Sequence, residues 1–446
     1  MMSSNKNFIK MSMNNETIIV NDKEGQPPTF DDLERFVYEK FAVKDTGVVR
    51  LICAAIIAHK INSDPVWIFL VAPPSGLKTE LIRALDGIEG IHGLSSLTPH
   101  TLISGQKKTG KETSLLLKIQ NGIFTFKDFT SVLEMNKIAR DEILSQLREI
   151  YDGQYSKSFG TGDDVRWDGK IGFLAGVTEA VDLFQGMYNI LGERFLQYRI
   201  IQPERKEATR RGMQNAPHIH EIRQQMKELF ANYMTNFKIP EELPAIPEDW
   251  IDEIVELSNF ATLARSAVMR DANMRDITHI FAPEMPIRFA KQLTLLAQTF
   301  LIMGVTDRDK NIIRKIAFSS LSKNRLRAFL YLSKSRNDIK LAGKNIVDDE
   351  KDGDVNASES IDRESEWTSK SIGIAMGLPT TTARRILEEI NAQGFVERSK
   401  LGSADAWMLK EEYKEFFRKY YSNEFFAIDI EKHNFPEMDT GISQSF

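Results

Sequence analysis

The 446-residue chain holds one cysteine, Cys53, and that scarcity removes two classes of structure at once. No intramolecular disulfide can form, and no thiolate cluster can hold a metal. Long apolar runs are missing as well: nothing approaches the roughly 18 uninterrupted apolar residues that a membrane span requires. The opening residues, Ser3, Ser4, Asn5, Lys6 and Asn7 among them, are polar and carry no apolar signal-peptide core. The expectation is a soluble, cytoplasmic protein with no membrane partner. An excess of positive charge is also lacking. The formal net charge is −5, so contact with nucleic acid has to come from local patches. What is present is an ordinary globular composition with 42% hydrophobic residues, in a length that suggests about three domains of roughly 150 residues each.

One stretch organises the rest. The continuous apolar run Val66-Trp-Ile-Phe-Leu-Val71 is too short for a free helix and rich in β-branched and aromatic residues, which is the signature of a strand buried in a parallel sheet. A turn over Ala72 to Gly76 follows, then Leu77-Lys78-Thr79 and apolar positions Leu81, Ile82 and Leu85 at helical spacing. Strand, small-residue loop, Lys-Thr and helix make up a phosphate-binding P-loop, in which backbone N–H groups cradle phosphates, Lys neutralises them and Thr holds Mg²⁺. The candidate nucleotide-binding residues are therefore Pro74, Ser75, Gly76, Leu77, Lys78, Thr79 and Glu80. Against the pattern G-x-x-x-x-G-K-[ST], Ala72 and Leu77 stand where the two glycines belong, and a glycine is displaced to Gly76.

Further strands are expected over Gly122 to Phe129, Lys170 to Val177 and Phe195 to Ile201, with helices between them, among these Ala139 to Tyr151 and Ala180 to Met187. Short apolar strands alternating with helices predict an α/β fold with a parallel sheet. Residues 1–29 read as disordered and 30–203 as the α/β core. Residues 204–306, broken by Pro240, Pro244, Pro247, Pro283 and Pro286, read as an all-α lid. Residues 307–415 hold a disordered insertion at 335–365 and then two helices, Thr368 to Met376 and Pro379 to Asn391. A hairpin around Gly402-Ser403 follows, so this part reads as a winged helix-turn-helix, with 416–446 a tail.

Taken in chain order, these pieces resemble the AAA+ ATPases, most closely the minichromosome-maintenance (MCM) type of helicase and its relatives in bacterial mobile elements and phages. The resemblance covers roughly residues 45–415. It implies ATP and Mg²⁺ as cofactors and a homo-oligomer, a hexameric ring, acting on DNA with possible replication partners. MCM proteins also carry a non-Gly residue just before the P-loop lysine, as Leu77 is here. The segment Gly122 to Phe129 is similar to a Walker B strand, with Lys127 in the place of the metal-associated Asp and Asp128 in that of the water-orienting Glu. An ammonium 4 Å from a cation costs on the order of 4 kcal/mol at an effective dielectric of 20, so Lys127 has to point away for metal to bind. Asp128 then serves metal or water alone, or holds metal with Thr79 while Glu179 positions water. Lys127 and Asp128 also read simply as a surface pair at a strand end. Thr178 and Glu179 fall at the sensor 1 position. Arg194 resembles the MCM arginine finger, with Arg199 a second candidate, and Arg288 resembles the sensor 2 residue of the lid.

In the same resemblance two insertions face DNA in the channel of the ring: a basic loop with Lys107, Lys108 and Lys111, and a hairpin with Lys157, Arg166 and Lys170 and an acidic tip, Asp163-Asp164. In the winged helix, Thr380, Thr381, Thr382, Arg384 and Arg385 open the second helix, where base and phosphate contacts are made, and Arg398 and Lys400 lie on the wing. Glu388 and Glu389 dilute this basic face. His218 and His220 do not share a helix face, so no metal beyond Mg²⁺ is indicated. The expected function is an ATP-dependent DNA helicase or translocase in replication or its initiation. A nucleotide-switched DNA-binding initiator or regulator without turnover is the alternative, and a defence or signalling ATPase with a protein-binding winged helix a third.

Overall fold

The computed structural model describes residues 27–45, 47–103, 114–158, 164–184, 194–334 and 367–422. Most of 1–29, all of 335–365, the tail beyond 422 and the loop with Lys107, Lys108 and Lys111 lie outside them. Helix α1 (Phe30–Phe41) is opened by a reciprocal cap between Thr29 and Asp32. Helix α2 (Gly47–His59) is buried on nearly every side, as its apolar run Val48 to Ala58 requires. Then follow β1 (Trp67–Val71), α3 (Lys78–Ala84), β2 (Ile91–Leu94), α4 (Leu115–Lys118), β3 (Asn121–Phe126), α5 (Thr130–Leu133) and α6 (Lys137–Tyr151). The hairpin β4 (Gln154–Ser158) and β5 (Asp164–Asp168) leads into β6 (Lys170–Val177), a short 3-10 helix (Glu179–Phe184) and β7 (Phe195–Arg199).

The main sheet is five-stranded and parallel, in the order β2-β3-β6-β1-β7. Trp67 is flanked by Phe173 and Phe195, and Val71 by Val177 and Arg199, so the carboxyl ends of β6, β1 and the edge strand β7 lie level. Both faces are covered, which is why these strands read as continuous apolar runs. One face presents Ile68, Leu70, Leu174 and Leu196 to the helices, and the other presents Trp67, Phe69, Phe173 and Phe195. On that second face Phe69 and Phe195 stack with centroids 3.9 Å apart.

The chain continues through α7 (Arg205–Asn215), α8 (Ile219–Asn236), α9 (Glu248–Ala264), β8 (Val268–Arg270), β9 (Ile277–Ile280), α10 (Ile287–Ile302), α11 (Asp309–Ser319) and α12 (Lys323–Leu332). After β10 (Trp367–Thr368) come α13 (Ser369–Met376), α14 (Thr380–Ala392), β11 (Val396–Leu401), β12 (Ala404–Leu409) and α15 (Glu411–Tyr420). Thr368 and Ser371 cap α13, and Gly377 ends it at φ +64°, a conformation that favours glycine. Strand β12 pairs antiparallel with both β10 and β11. One continuous buried cluster reaches from Leu33 to Tyr420 and ties the sheet to the helices that follow it.

Three sequence expectations are corrected. The segment 204–306 is not all-α, because β8 and β9 form an antiparallel hairpin in it. Its turn is made by Met274 at φ +57° rather than by the Gly or Pro that usually marks a hairpin. The helix expected from Ala180 to Met187 is, in its described part, the 3-10 helix. Strand β2, four residues at the sheet edge, was not among the expected strands. Among the described residues no helix is long and apolar enough to cross a membrane.

Candidate functional site

Lys78 opens α3 directly beyond β1 and is 4% exposed. Its Nζ donates to the carbonyls of Ala72 (3.3 Å) and Pro73 (3.0 Å), folding the side chain back under its own loop. Burial holds the Lys78 pKa below its ordinary value, and the charge of Asp128 opposes that shift. The loop is tight: Ser75 sits at φ +60° and the Gly76 N–H donates to Pro73 O at 3.0 Å. Space for the lysine comes from the next strand. A Cβ on Gly176 of β6 would stand 2.6 Å from Lys127 O and 3.1 Å from Lys78 Cδ, so only glycine lets the lysine stem pass here. Glu80, in the first turn of α3, is gripped by Arg83 and by Arg223 of α8 at 2.7–2.9 Å, which fixes α3 against the helical region.

Asp128 and Lys127 part company at the end of β3. The strand ends at Phe126 and the chain bends at Lys127. Lys127 Nζ reaches Asp86 Oδ2, 3.3 Å away beyond the end of α3. Asp128 accepts the Thr130 N–H at 3.1 Å and faces a cleft of about 460 Å³ lined by Pro73, Pro74, Thr130, Glu134, Thr178 and Glu179. Thr178, at the end of β6, donates its N–H to Thr130 Oγ1 (2.9 Å) and accepts from that hydroxyl (3.3 Å). The carboxyl ends of β3 and β6 thus bring a carboxylate and a hydroxyl pair around one opening, and the loop after β1 walls it with Lys78 folded behind. That opening lies outside the carboxyl ends of the strands, the usual ligand position in an open α/β sheet. Thr79 follows Lys78 in the first turn of α3 and is not among the residues lining the cleft. Glu179 is half exposed and paired with Lys323 at 2.9 Å. Thr130 and Glu134 were missed by the sequence reading, because α5 is a single turn whose placement depends on Asp128 and Thr178.

The three candidate arginines do not meet in this cleft. Arg194 precedes β7 at the amino edge of the sheet, opposite the P-loop, 8% exposed and bound to Asp152 at 2.9 Å. Arg288 lies in the first turn of α10, paired with Glu284 at 2.8 Å and close enough to Arg194 and Tyr151 to affect their titration. The expected contact of Arg288 with nucleotide is therefore corrected: α10 packs under the amino edge, where Gln292 accepts from Trp67 N–H. Arg199 alone ends near the cleft, and its Nη2 donates to Asp182 (2.5 Å) of the 3-10 helix and to Leu321 O (2.8 Å).

Of the hairpin cations, Lys157 pairs with Glu142 at 3.3 Å, Arg166 is exposed, and Lys170 turns inward to the carbonyls of His59 and Ile61. In the C-terminal part, Thr380, Thr381 and Arg384 are exposed, whereas Thr382 and Arg385 are half-buried. Arg398 and Lys400 share one face of the β11–β12 hairpin, and both donate to Asp405 at 2.7 Å. Those two hydrogen bonds hold the Asp405 pKa at about 2. Neither the family models nor the curated proteins compared with this chain give a match.

Proposed function

We propose that the chain is an ATP-dependent DNA motor of the AAA+ class, similar to MCM helicases and acting in replication or its initiation for a mobile element or phage. The observation that carries this reading is that Asp128 and Thr178 line one cleft whose wall is the tight Pro73–Pro74 loop, with Lys78 folded directly behind that loop and within electrostatic reach of Asp128. Lys78 is already desolvated, so moving its Nζ from two carbonyls to a phosphate exchanges neutral acceptors for charged ones, which strengthens its hydrogen bonds. Thr79 and Asp128 would hold Mg²⁺, which neutralises phosphate charge when bound. Thr178, fixed by Thr130, and Asp128 flank the space where the terminal phosphate and its attacking water would lie. The elements from α12 to β12 are read as a winged helix whose exposed Thr380, Thr381 and Arg384 meet DNA. A hexameric ring belongs to this reading, with Arg194 leaving Asp152 to serve a neighbour's site.

A second reading, a nucleotide-switched initiator that does not turn ATP over, is favoured by one fact: neither Arg194 nor Arg288 faces the cleft. Steady-state phosphate release with and without DNA separates the two. The motor reading predicts hydrolysis stimulated by DNA and abolished in Lys78→Ala. Nucleotide-induced assembly with no phosphate release by wild type, on any DNA, would establish the switch instead.

A further inference from the structure

Glu388 and Glu389 lie on the helix that the DNA reading places against the duplex, and two carboxylates there should repel phosphates. Neither is left uncompensated. The Arg270 side chain, 1% exposed and projecting from the β8–β9 hairpin, donates Nε to Glu389 (3.1 Å) and Nη2 to Glu388 (3.0 Å). It also donates to the carbonyls of Arg385 (2.9 Å) and Arg275 (3.0 Å). Arg325 of α12 takes the other oxygen of Glu389 at 2.9 Å. From Glu388 the pairing continues outward to Arg384 (2.9 Å), from Arg384 to Asp405 (3.6 Å), and from Asp405 to Arg398 and Lys400 (2.7 Å each). The result is an unbroken series of alternating charges from the helical region to the wing, buried at the Arg270 end. Arg384, Arg398 and Lys400 are 53%, 41% and 68% exposed at the other.

We infer that Arg270 is a positioning residue for nucleic-acid phosphate binding: by neutralising Glu388 and Glu389 from behind, it leaves Arg384, Arg398 and Lys400 as a net cationic surface. The inference rests on the DNA-binding reading of α14 and the wing. Arg270 itself cannot reach DNA. Without it, Glu388 is left to Arg384 alone and draws that side chain inward, Glu389 is left to Arg325 alone, and the network beneath the phosphate path carries one positive charge fewer. The hairpin β8–β9 thereby acquires a task that neither its length nor its sequence suggests: setting the charge of an element more than a hundred residues away, as the 119-residue separation of Arg270 and Glu389 shows.

The test uses the full chain and a fluorescent DNA duplex, with anisotropy titrations at several salt concentrations and a circular-dichroism melt of each variant. Arg270→Gln is expected to bind about tenfold more weakly, as the loss of one buried positive charge beneath the phosphate path implies, with a salt slope smaller by about one as Arg384 is withdrawn. Arg270→Gln combined with Glu388→Gln and Glu389→Gln is expected to bind at least as tightly as wild type. This triple variant leaves no buried charge of the trio unpaired, so it carries the test even where Arg270→Gln alone melts early. Wild-type affinity in Arg270→Gln, or a triple variant still about tenfold weaker than wild type, would overturn the inference while leaving the DNA reading intact. Absence of duplex binding by wild type at low salt would sink the DNA reading and the inference with it.

Discussion

At the scale of single residues, Lys127 decides whether an ammonium enters the cleft beside the Pro73–Gly76 loop. Its ammonium is paired with Asp86, whereas Asp128 accepts the Thr130 N–H and lines the cleft, of which Lys127 is not a lining residue. With Lys127 44% and Asp86 34% exposed, the pair is a surface ion pair of small energetic weight. Lys127→Ala is accordingly expected to leave affinity for an ATP analogue within about twofold and stability within about 0.5 kcal/mol. Equilibrium binding and thermal melting check this, and a large gain in affinity would mean that Lys127 does face the cation. The sequence identifies Lys78 and Asp128 as candidates because Lys-Thr after an apolar strand and an acid after another are local patterns. It says nothing of where Lys127 turns, since Asp86 is 41 residues away.

Elements were legible in proportion to how local their signals are. Strand β6 runs from Lys170 to Val177, the bounds its apolar run suggests, because a strand buried on both faces admits no polar interruption. Helices α13 and α14 are bounded by their Thr, Gly and Pro signals, with Pro379 standing as the residue before α14 rather than within its first turn. The β8–β9 hairpin was not legible, because its turn carries no Gly and its Arg270 finds partners in a distant helix. The cap of α13 gives a direct check on this local reasoning. Thr368 accepts the Ser371 N–H at 3.1 Å, and the Ser371 hydroxyl accepts the Thr368 N–H at 2.9 Å. Thr368→Ala is expected to lower stability by about 1 kcal/mol in denaturant titration, with no change in ATP binding. An equal melt for both proteins would show that the cap is not stabilising α13.

Across the whole molecule, the two edges of the parallel sheet do different work. Its carboxyl edge gathers Asp128, Thr130 and Thr178 around the cleft with Lys78 behind the adjoining loop, while its amino edge gathers buried Arg194, Tyr151 and Gln292 with the half-buried Arg288 beside them. The order of motifs along the chain could not separate these edges, because a residue before β7 and one after β6 are close in sequence and lie at opposite ends of parallel strands. The sheet register separates them, and the proposed reading takes the carboxyl-edge cleft as the phosphate site. The most direct test is equilibrium binding of a fluorescent ATP analogue, with Mg²⁺, to wild type and to Lys78→Ala. Saturable binding by wild type, weakened about a hundredfold by loss of a buried cation's charge-assisted contacts, is the expected result. Equal affinity of the two proteins, or no binding by wild type, would contradict it.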